Sequence, residues 1–190
     1  MAYIKVFNEG IRYCDMIEVE AKVRVDSVTY MRGKIKQIAR FEKKERKVDD
    51  YYTLQSLNSY PRKSLRVRKK SRYYEINFKQ RISYSNGIHA KSEHEFILHD
   101  VQTFLDLIRD FGFRKWLRKE KYSEVYTLGK NFHIELNHVK NLGWFLEIEY
   151  LCQPSEIVHA RKAVEDVIKK LGISRRLLVR EGYTKMLWQK

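Results

Sequence analysis

Glu18, Glu20 and Lys22 occupy every second position of MIEVEAKVRV (residues 16–25), with Val19, Ala21 and Val23 between them. Strict alternation is the pattern of a β-strand, whose successive side chains point to opposite faces. Two carboxylates and an ammonium therefore share one face, and the other face is apolar. The same spacing returns near the C-terminus, where WFLEIEYL places Glu147 and Glu149 opposite Leu146, Ile148 and Tyr150. Between these acidic pairs lie Arg66 and Arg68, Lys79, Lys91, and Lys119 with Lys121, each on the polar face of an alternating stretch. Hard divalent cations such as Mg²⁺ and Mn²⁺ take oxygen ligands and commonly bridge carboxylates to phosphates. Arginine and lysine neutralise phosphate oxygens, arginine through a planar fork and lysine as a point charge. E-x-E-x-K alone is common on solvated strands, so the weight falls on its recurrence around a set of cations. No G-x-x-x-x-G-K-[ST] loop is present, so side chains and not a P-loop would grip the phosphates.

The elements that must position these residues follow from the same periodicities. After the first strand, Val28, Met31, Ile35 and Ile38 recur at helical spacing, with Asp26 as the expected N-cap. FEKKERKV follows as a basic stretch, with Lys43, Lys44, Arg46 and Lys47 expected to be solvated and mobile. DDYYTLQSL, SLRVRKK, YYEINFKQRI and IHAKSEHEFIL read as strands, separated by breakers at SYPRK and SNG. Asp100 caps an expected helix in DVQTFLDLIRDFG, ended by Gly112. KWLRKEKYSEVYTL and NFHIELNHV form a strand pair around Gly129, WFLEIEYL is one more strand, and Pro154 and Ser155 open a helix that runs to about Leu171. Each strand has one ionisable face. An open antiparallel sheet could expose those faces to water; a closed barrel could line its lumen with them and remove the edge strands. Both bury the same apolar set, and the matched acidic spacing in the first and last strands favours the barrel.

The chain of 190 residues is 43% hydrophobic and 13% aromatic, which is the composition of a folded domain and not of a disordered chain. No apolar run approaches the roughly 20 residues of a membrane span, and the first residues lack the apolar core of a signal peptide. Cys14 and Cys152 are the only cysteines; they read as reduced thiols, and the expected location is cytoplasmic. The net charge of +15 implies an anionic partner: nucleic acid, an acidic surface, or a phosphate-bearing small molecule.

Read together, the motifs resemble the CYTH superfamily of triphosphate tunnel metalloenzymes, which includes class IV adenylyl cyclases and thiamine triphosphatases. EVEAK is similar to that family's E-x-E-x-K signature, VDDYYTL to its D-x-Y-[FY] pattern, LRVR to its L-R-x-R, and NFK to its strand ending in lysine. KSEHE resembles R-x-E-x-E with Lys91 for arginine, and KEK resembles K-x-R with Lys121 for arginine. LNHVKNLGWFLEIE resembles D-x-V-x-x-L-G-x-F-x-E-I-E with Asn137 for aspartate, and LGI…GYTKML is most similar to the class IV cyclase branch. The resemblance implies an α+β fold, mostly antiparallel: an eight-stranded closed β-tunnel with a polar lumen and helices outside. It implies a CYTH-like domain over residues 16–190 preceded by an extension, residues 1–15. It also implies a metal-dependent enzyme acting on a nucleoside or other organic triphosphate, with conversion of ATP to cyclic AMP and pyrophosphate as the leading reading. Triphosphate hydrolysis, or non-catalytic binding of triphosphate or RNA through the basic surface, is the alternative. The implied roles are catalytic for Glu18, Glu20 and Lys22, and triphosphate-binding for Arg66, Arg68, Lys79, Lys91, Lys119 and Lys121. Glu18, Glu20, Glu147, Glu149 and Asn137 would hold Mg²⁺ or Mn²⁺, the asparagine oxygen bringing no charge. The expected assembly is a monomer or homodimer.

Overall fold

The computed structural model describes residues 16–190; the expected 1–15 extension, with Cys14, lies outside the described residues. Eight strands close into an antiparallel barrel in the order β1-β5-β4-β3-β2-β6-β7-β8, with β8 returning to β1. They are β1 (Ile17–Arg24), β2 (Arg40–Thr53), β3 (Leu65–Lys69), β4 (Tyr74–Ser85), β5 (Ile88–Leu98), β6 (Arg114–Leu128), β7 (Phe132–Val139) and β8 (Gly143–Cys152). Four helices accompany them: α1 (Val28–Lys36), α2 (Val101–Asp110), α3 (Ile157–Lys170) and α4 (Tyr183–Trp188). Among the described residues, no helix is long and apolar enough to cross a membrane.

Alternation sends the apolar residues outward. Val19, Ala21 and Val23 of β1, Ala90 of β5, Ile134 and Leu136 of β7, and Leu146 and Ile148 of β8 are wholly buried on the outer wall. They pack with Ile35 of α1 and with Ala160, Val164 and Leu171 on and after α3. Each buried valine, leucine and isoleucine there stabilises the fold by about 1.5–3 kcal/mol, so the main core lies outside the barrel and leaves the lumen largely to polar groups.

Three local expectations need correction. The N-cap of α1 is Ser27 and not Asp26. Pro154 and Ser155 form a 3₁₀ turn, Pro154–Glu156, ahead of α3, because proline at the first position suits a helix start. The basic stretch at 43–47 is the first half of β2, paired along its length with β6, so it is ordered strand and not a mobile loop.

The C-terminal segment straps one end of the barrel. Leu178 forms a bridge with Val23, and the Val179 amide donates to the Lys22 carbonyl at 2.7 Å. Leu178 lies against Gly87 in the β4–β5 turn, where a Cβ would meet its Cδ1 at 2.7 Å. Asn86 and Gly87 take positive φ (51° and 84°), as a tight two-residue hairpin requires. Farther on, Thr184 hydrogen-bonds Tyr60 at 2.8 Å and Trp188 packs edge-on against Trp116.

Candidate functional site

Register places the expected catalytic, triphosphate-binding and metal-holding residues on the inner faces of the strands. Glu18, Glu20 and Lys22 of β1 lie between Lys91 and His89 of β5 on one side and Glu149 and Glu147 of β8 on the other. Glu135 and Asn137 follow on β7, Lys119 and Lys121 on β6, Lys47 and Asp49 on β2, Arg66 and Arg68 on β3, and Glu75 and Lys79 on β4.

Each buried cation in the lumen has a carboxylate partner. Arg68 forks onto Asp49 at 2.6 and 3.0 Å, and Lys119 reaches the same carboxylate at 2.9 Å and the Tyr51 hydroxyl at 2.9 Å. Arg66 donates to Glu75 at 2.6 Å. Lys79 donates to Glu18 at 2.7 Å and also contacts Glu93, and Lys91 donates to Glu20. Lys121 joins Glu135 at 2.7 Å to Glu147 at 3.0 Å, while Lys47 contacts Glu135 from the opposite side. Lys22 is the most loosely held, with Glu147 at 3.7 Å and the Tyr183 ring centroid at 4.1 Å. Side-chain exposure is 32% for Lys79 and 21% for Lys91 but 6% for Lys22 and 7% for Lys121. The lumen is thus open at the Lys79–Lys91 end and closed where the C-terminal strap lays Tyr183 over the lysines.

The carboxylates are not equivalent. Glu18, Glu20 and Glu149 each offer an oxygen within 4.8 Å of the others. Burial, only partly offset by Lys79, raises Glu18 well above the ordinary carboxyl range. Burial and the Glu135 and Glu147 charges push Glu149 up to about 8. For Glu20, burial works the same way but Lys91 and Lys22 overcome it, and the carboxyl is held well below its usual value. One Glu18 oxygen is buried without a hydrogen-bond partner. Three converging carboxylates, two of which burial holds towards the protonated form, fit a hard divalent cation by donor type and by spacing. Glu147 and Asn137 belong to a different cluster. The Asn137 amide donates to Glu147 at 2.8 Å while its oxygen accepts from the Ser123 hydroxyl at 2.5 Å. That oxygen already has a partner, so the structure sets Asn137 beside the carboxylate triple and not within it.

The expected site residues leave out Lys47, Asp49, Glu75, Glu135 and Tyr183, and place Glu93 evenly between site and surface. Asp49 begins the D-x-Y-[FY] match, and alternation through Tyr51 extends back to Lys47, where the surrounding basic run obscures it. Glu135 lay on the charged face of its strand with nothing in the sequence to name its partners. Tyr183 lies in the GYTKML segment of the resemblance, but nothing in that segment shows that the strap brings its ring into the lumen.

A closed eight-stranded barrel with an ion-paired lumen and a carboxylate triple defines the class of triphosphate-tunnel folds. The chain belongs to the CYTH family: the CYTH domain matches residues 16–183. It is 25% identical over 185 residues to the Methanocaldococcus jannaschii protein named "Putative adenylate cyclase MJ0240", covering 90% of this chain and 98% of that protein. Among solved structures, the PH1012 protein of Pyrococcus horikoshii is 29% identical with a TM-score of 0.75, covering 88% of this chain and 98% of that one. The adenylyl cyclase-like HpAC1 of Hippeastrum, described as having a dominant triphosphatase activity, shares the fold at 18% identity, with a TM-score of 0.60 and coverage of 90% and 93%.

Proposed function

We propose that this protein is a metal-dependent enzyme acting on a nucleoside or other organic triphosphate, in the class IV adenylyl cyclase manner: ATP to cyclic AMP and pyrophosphate. The observation that carries the reading is the Glu18–Glu20–Glu149 triple beside a lumen whose lysines and arginines are held in place by exchangeable carboxylate partners. Phosphate oxygens entering the lumen would take over some of those partnerships, so the cations are pre-positioned and little reorganisation is required.

Glu18, Glu20 and Glu149 would hold Mg²⁺ or Mn²⁺, which when bound supplies Lewis-acid stabilisation of charge on the phosphate oxygens. Lys79 and Lys91, at the open end, receive the triphosphate. Arg66 and Arg68 reach it from β3, and Lys22, Lys119 and Lys121 neutralise its deeper oxygens. Glu147, Glu135 and Asp49 hold the deeper lysines in place, and Asn137 fixes the rotamer of Glu147. In the cyclase reaction the ribose 3′-hydroxyl loses its proton to water as its oxygen bonds to the α-phosphorus, the bond from that phosphorus to the bridging oxygen breaks, and pyrophosphate leaves with the charge that the lysines stabilise.

Hydrolysis of the terminal phosphate is a second reading favoured by a specific observation. The lumen is almost wholly ionic, with its aromatic residues Tyr51, Phe145 and Tyr183 gathered at the closed end, so the site grips a triphosphate more evidently than a base. Phosphorus NMR of the products from ATP with Mn²⁺ or Mg²⁺ tests both readings. Cyclic AMP with pyrophosphate supports the cyclase, ADP with orthophosphate supports the hydrolase, and no turnover with either metal overturns both.

A further inference from the structure

Pairing inside the lumen has a consequence for the outside. Because the buried lumen cations are each matched by a carboxylate, the excess of +15 sits on the outer surface. On the outer wall of β2 and β6 it is organised. Lys44, Arg46, Val48 and Asp50 face outward opposite Glu124, Tyr122, Glu120 and Arg118. Each of the three carboxylates there bridges two cations. Glu124 binds Arg32 at 2.8 Å and Lys44 at 3.8 Å, Glu120 binds Arg46 at 2.9 Å and Lys140 at 3.6 Å, and Asp50 binds Arg118 at 2.7 Å and Lys115 at 2.8 Å. The carboxylates lie low, 10%, 17% and 20% exposed, while Lys44, Arg46 and Arg118 stand above them at 74%, 56% and 55%. Tyr122 is half exposed at the centre, with the Arg46 guanidinium 5.9 Å from its ring centroid.

We propose that this outer β2–β6 face binds the backbone of single-stranded RNA. Each triad leaves one net positive charge at the surface, and the row from residue 44 to residue 50 spans about 20 Å of strand. A pleated face that sets cations at fixed spacing around an exposed tyrosine suits phosphates flanking a stacked base, which is how sheet surfaces hold single strands without reading sequence. The site is separate from the lumen and does not depend on the triphosphate reading.

Because every carboxylate has two partners, Lys44→Ala, Arg46→Ala and Arg118→Ala can be combined while Arg32, Lys140 and Lys115 still pair all three acids, so the fold is retained. Fluorescence anisotropy with a 5′-hydroxyl single-stranded RNA of about 20 nucleotides should show binding that weakens steeply with salt. At roughly 0.7 counterions per phosphate contact, the triple variant should flatten the logarithmic salt slope by about 2 and lose about 100-fold in affinity near 0.1 M salt. Tyr122→Ala should lose about tenfold, and both variants should keep the wild-type response to free triphosphate. Unchanged RNA affinity in the triple variant overturns the proposal. So does competition by inorganic tripolyphosphate at concentrations that only fill the lumen, which would place the RNA there. Binding to phosphatidylserine vesicles but not RNA, lost in the same variant, would make the face a membrane contact and equally overturn it.

Discussion

Replacing Glu149 with glutamine separates the electrostatics of the carboxylate triple from its chemistry, because the two readouts move in opposite directions. In the metal-free protein, burial and the neighbouring Glu135 and Glu147 charges raise Glu149 from 4.5 to about 8. A carboxyl whose folded value is raised binds more protons folded than unfolded, so its contribution declines as pH climbs from the unfolded value to the folded one. At about 1.4 kcal/mol per unit, the loss between pH 4.5 and 8 approaches 5 kcal/mol. Glu149→Gln is neutral at every pH and nearly isosteric, so it removes this term. The stability difference between variant and wild type should be flat below pH 5 and grow in the variant's favour towards pH 8. For a chain of this size that corresponds to a gain of about 10–20 °C in the melting temperature at pH 8. Taking the difference between the two proteins cancels the histidines, which titrate in the same range. With Mn²⁺ present the order reverses: the wild type should gain stability by mass action, and the variant should gain little. Thermal unfolding from pH 5 to 8, with EDTA and with Mn²⁺, measures both effects. A variant that tracks the wild type across pH in EDTA, or that keeps the full Mn²⁺ response, would refute the reasoning.

Three further outcomes are expected. Lys22 is held below its ordinary value by burial despite Glu147 and Glu20, so Lys22→Met should keep or raise urea stability while turnover falls about 10²–10³-fold; wild-type turnover would remove Lys22 from the mechanism. Asn137→Asp exchanges the amide donor facing Glu147 for a second carboxylate, so it should destabilise the protein by about 2–4 kcal/mol and leave the half-saturating Mn²⁺ concentration unchanged; tighter metal dependence would make position 137 a ligand. His89 is lowered to about 4 by burial beside Lys91, so its contribution is lost as pH falls from 6.5 to 4, about 3 kcal/mol. His89→Phe should therefore blunt acid unfolding in that window, and an unchanged acid transition would count against it.

Most strands and their polar faces were legible because period-two alternation runs through them even where the charges differ in sign; the first half of β2 was not, because a run of basic residues with a register shift at Phe41/Lys43 hides the alternation there. Barrel closure was not legible locally. It depends on β8 pairing back to β1, Ile17 opposite Cys152 and Arg24 opposite Phe145, a contact that no short-range pattern encodes; the resemblance to a known family supplied it. The lumen's charge balance was not legible for a related reason. Basic residues dominate the middle strands as motifs, yet Asp49, Glu75, Glu93 and Glu135 neutralise them across strands, as Glu18 does with Lys79 at a separation of 61 residues. The split of the expected metal ligands came from register: Glu149 lies opposite Glu20 while Glu147 lies opposite Lys22, which sends two glutamates of one strand to different partners. The path of the C-terminal strap was not legible, although GYTKML entered the resemblance, because α4 has only six residues and is held by tertiary contacts through Tyr183, Thr184 and Trp188.

In the proposed mechanism a divalent ion held by Glu18, Glu20 and Glu149 meets a triphosphate inside the barrel. Anomalous diffraction from crystals grown with Mn²⁺ and inorganic tripolyphosphate tests it most directly. A manganese peak is expected among those three carboxylates, with phosphate density reaching Lys91 on one side and Lys22 or Lys121 on the other. A manganese peak elsewhere, or tripolyphosphate bound only on the outer surface with the lumen ion pairs intact, would contradict it.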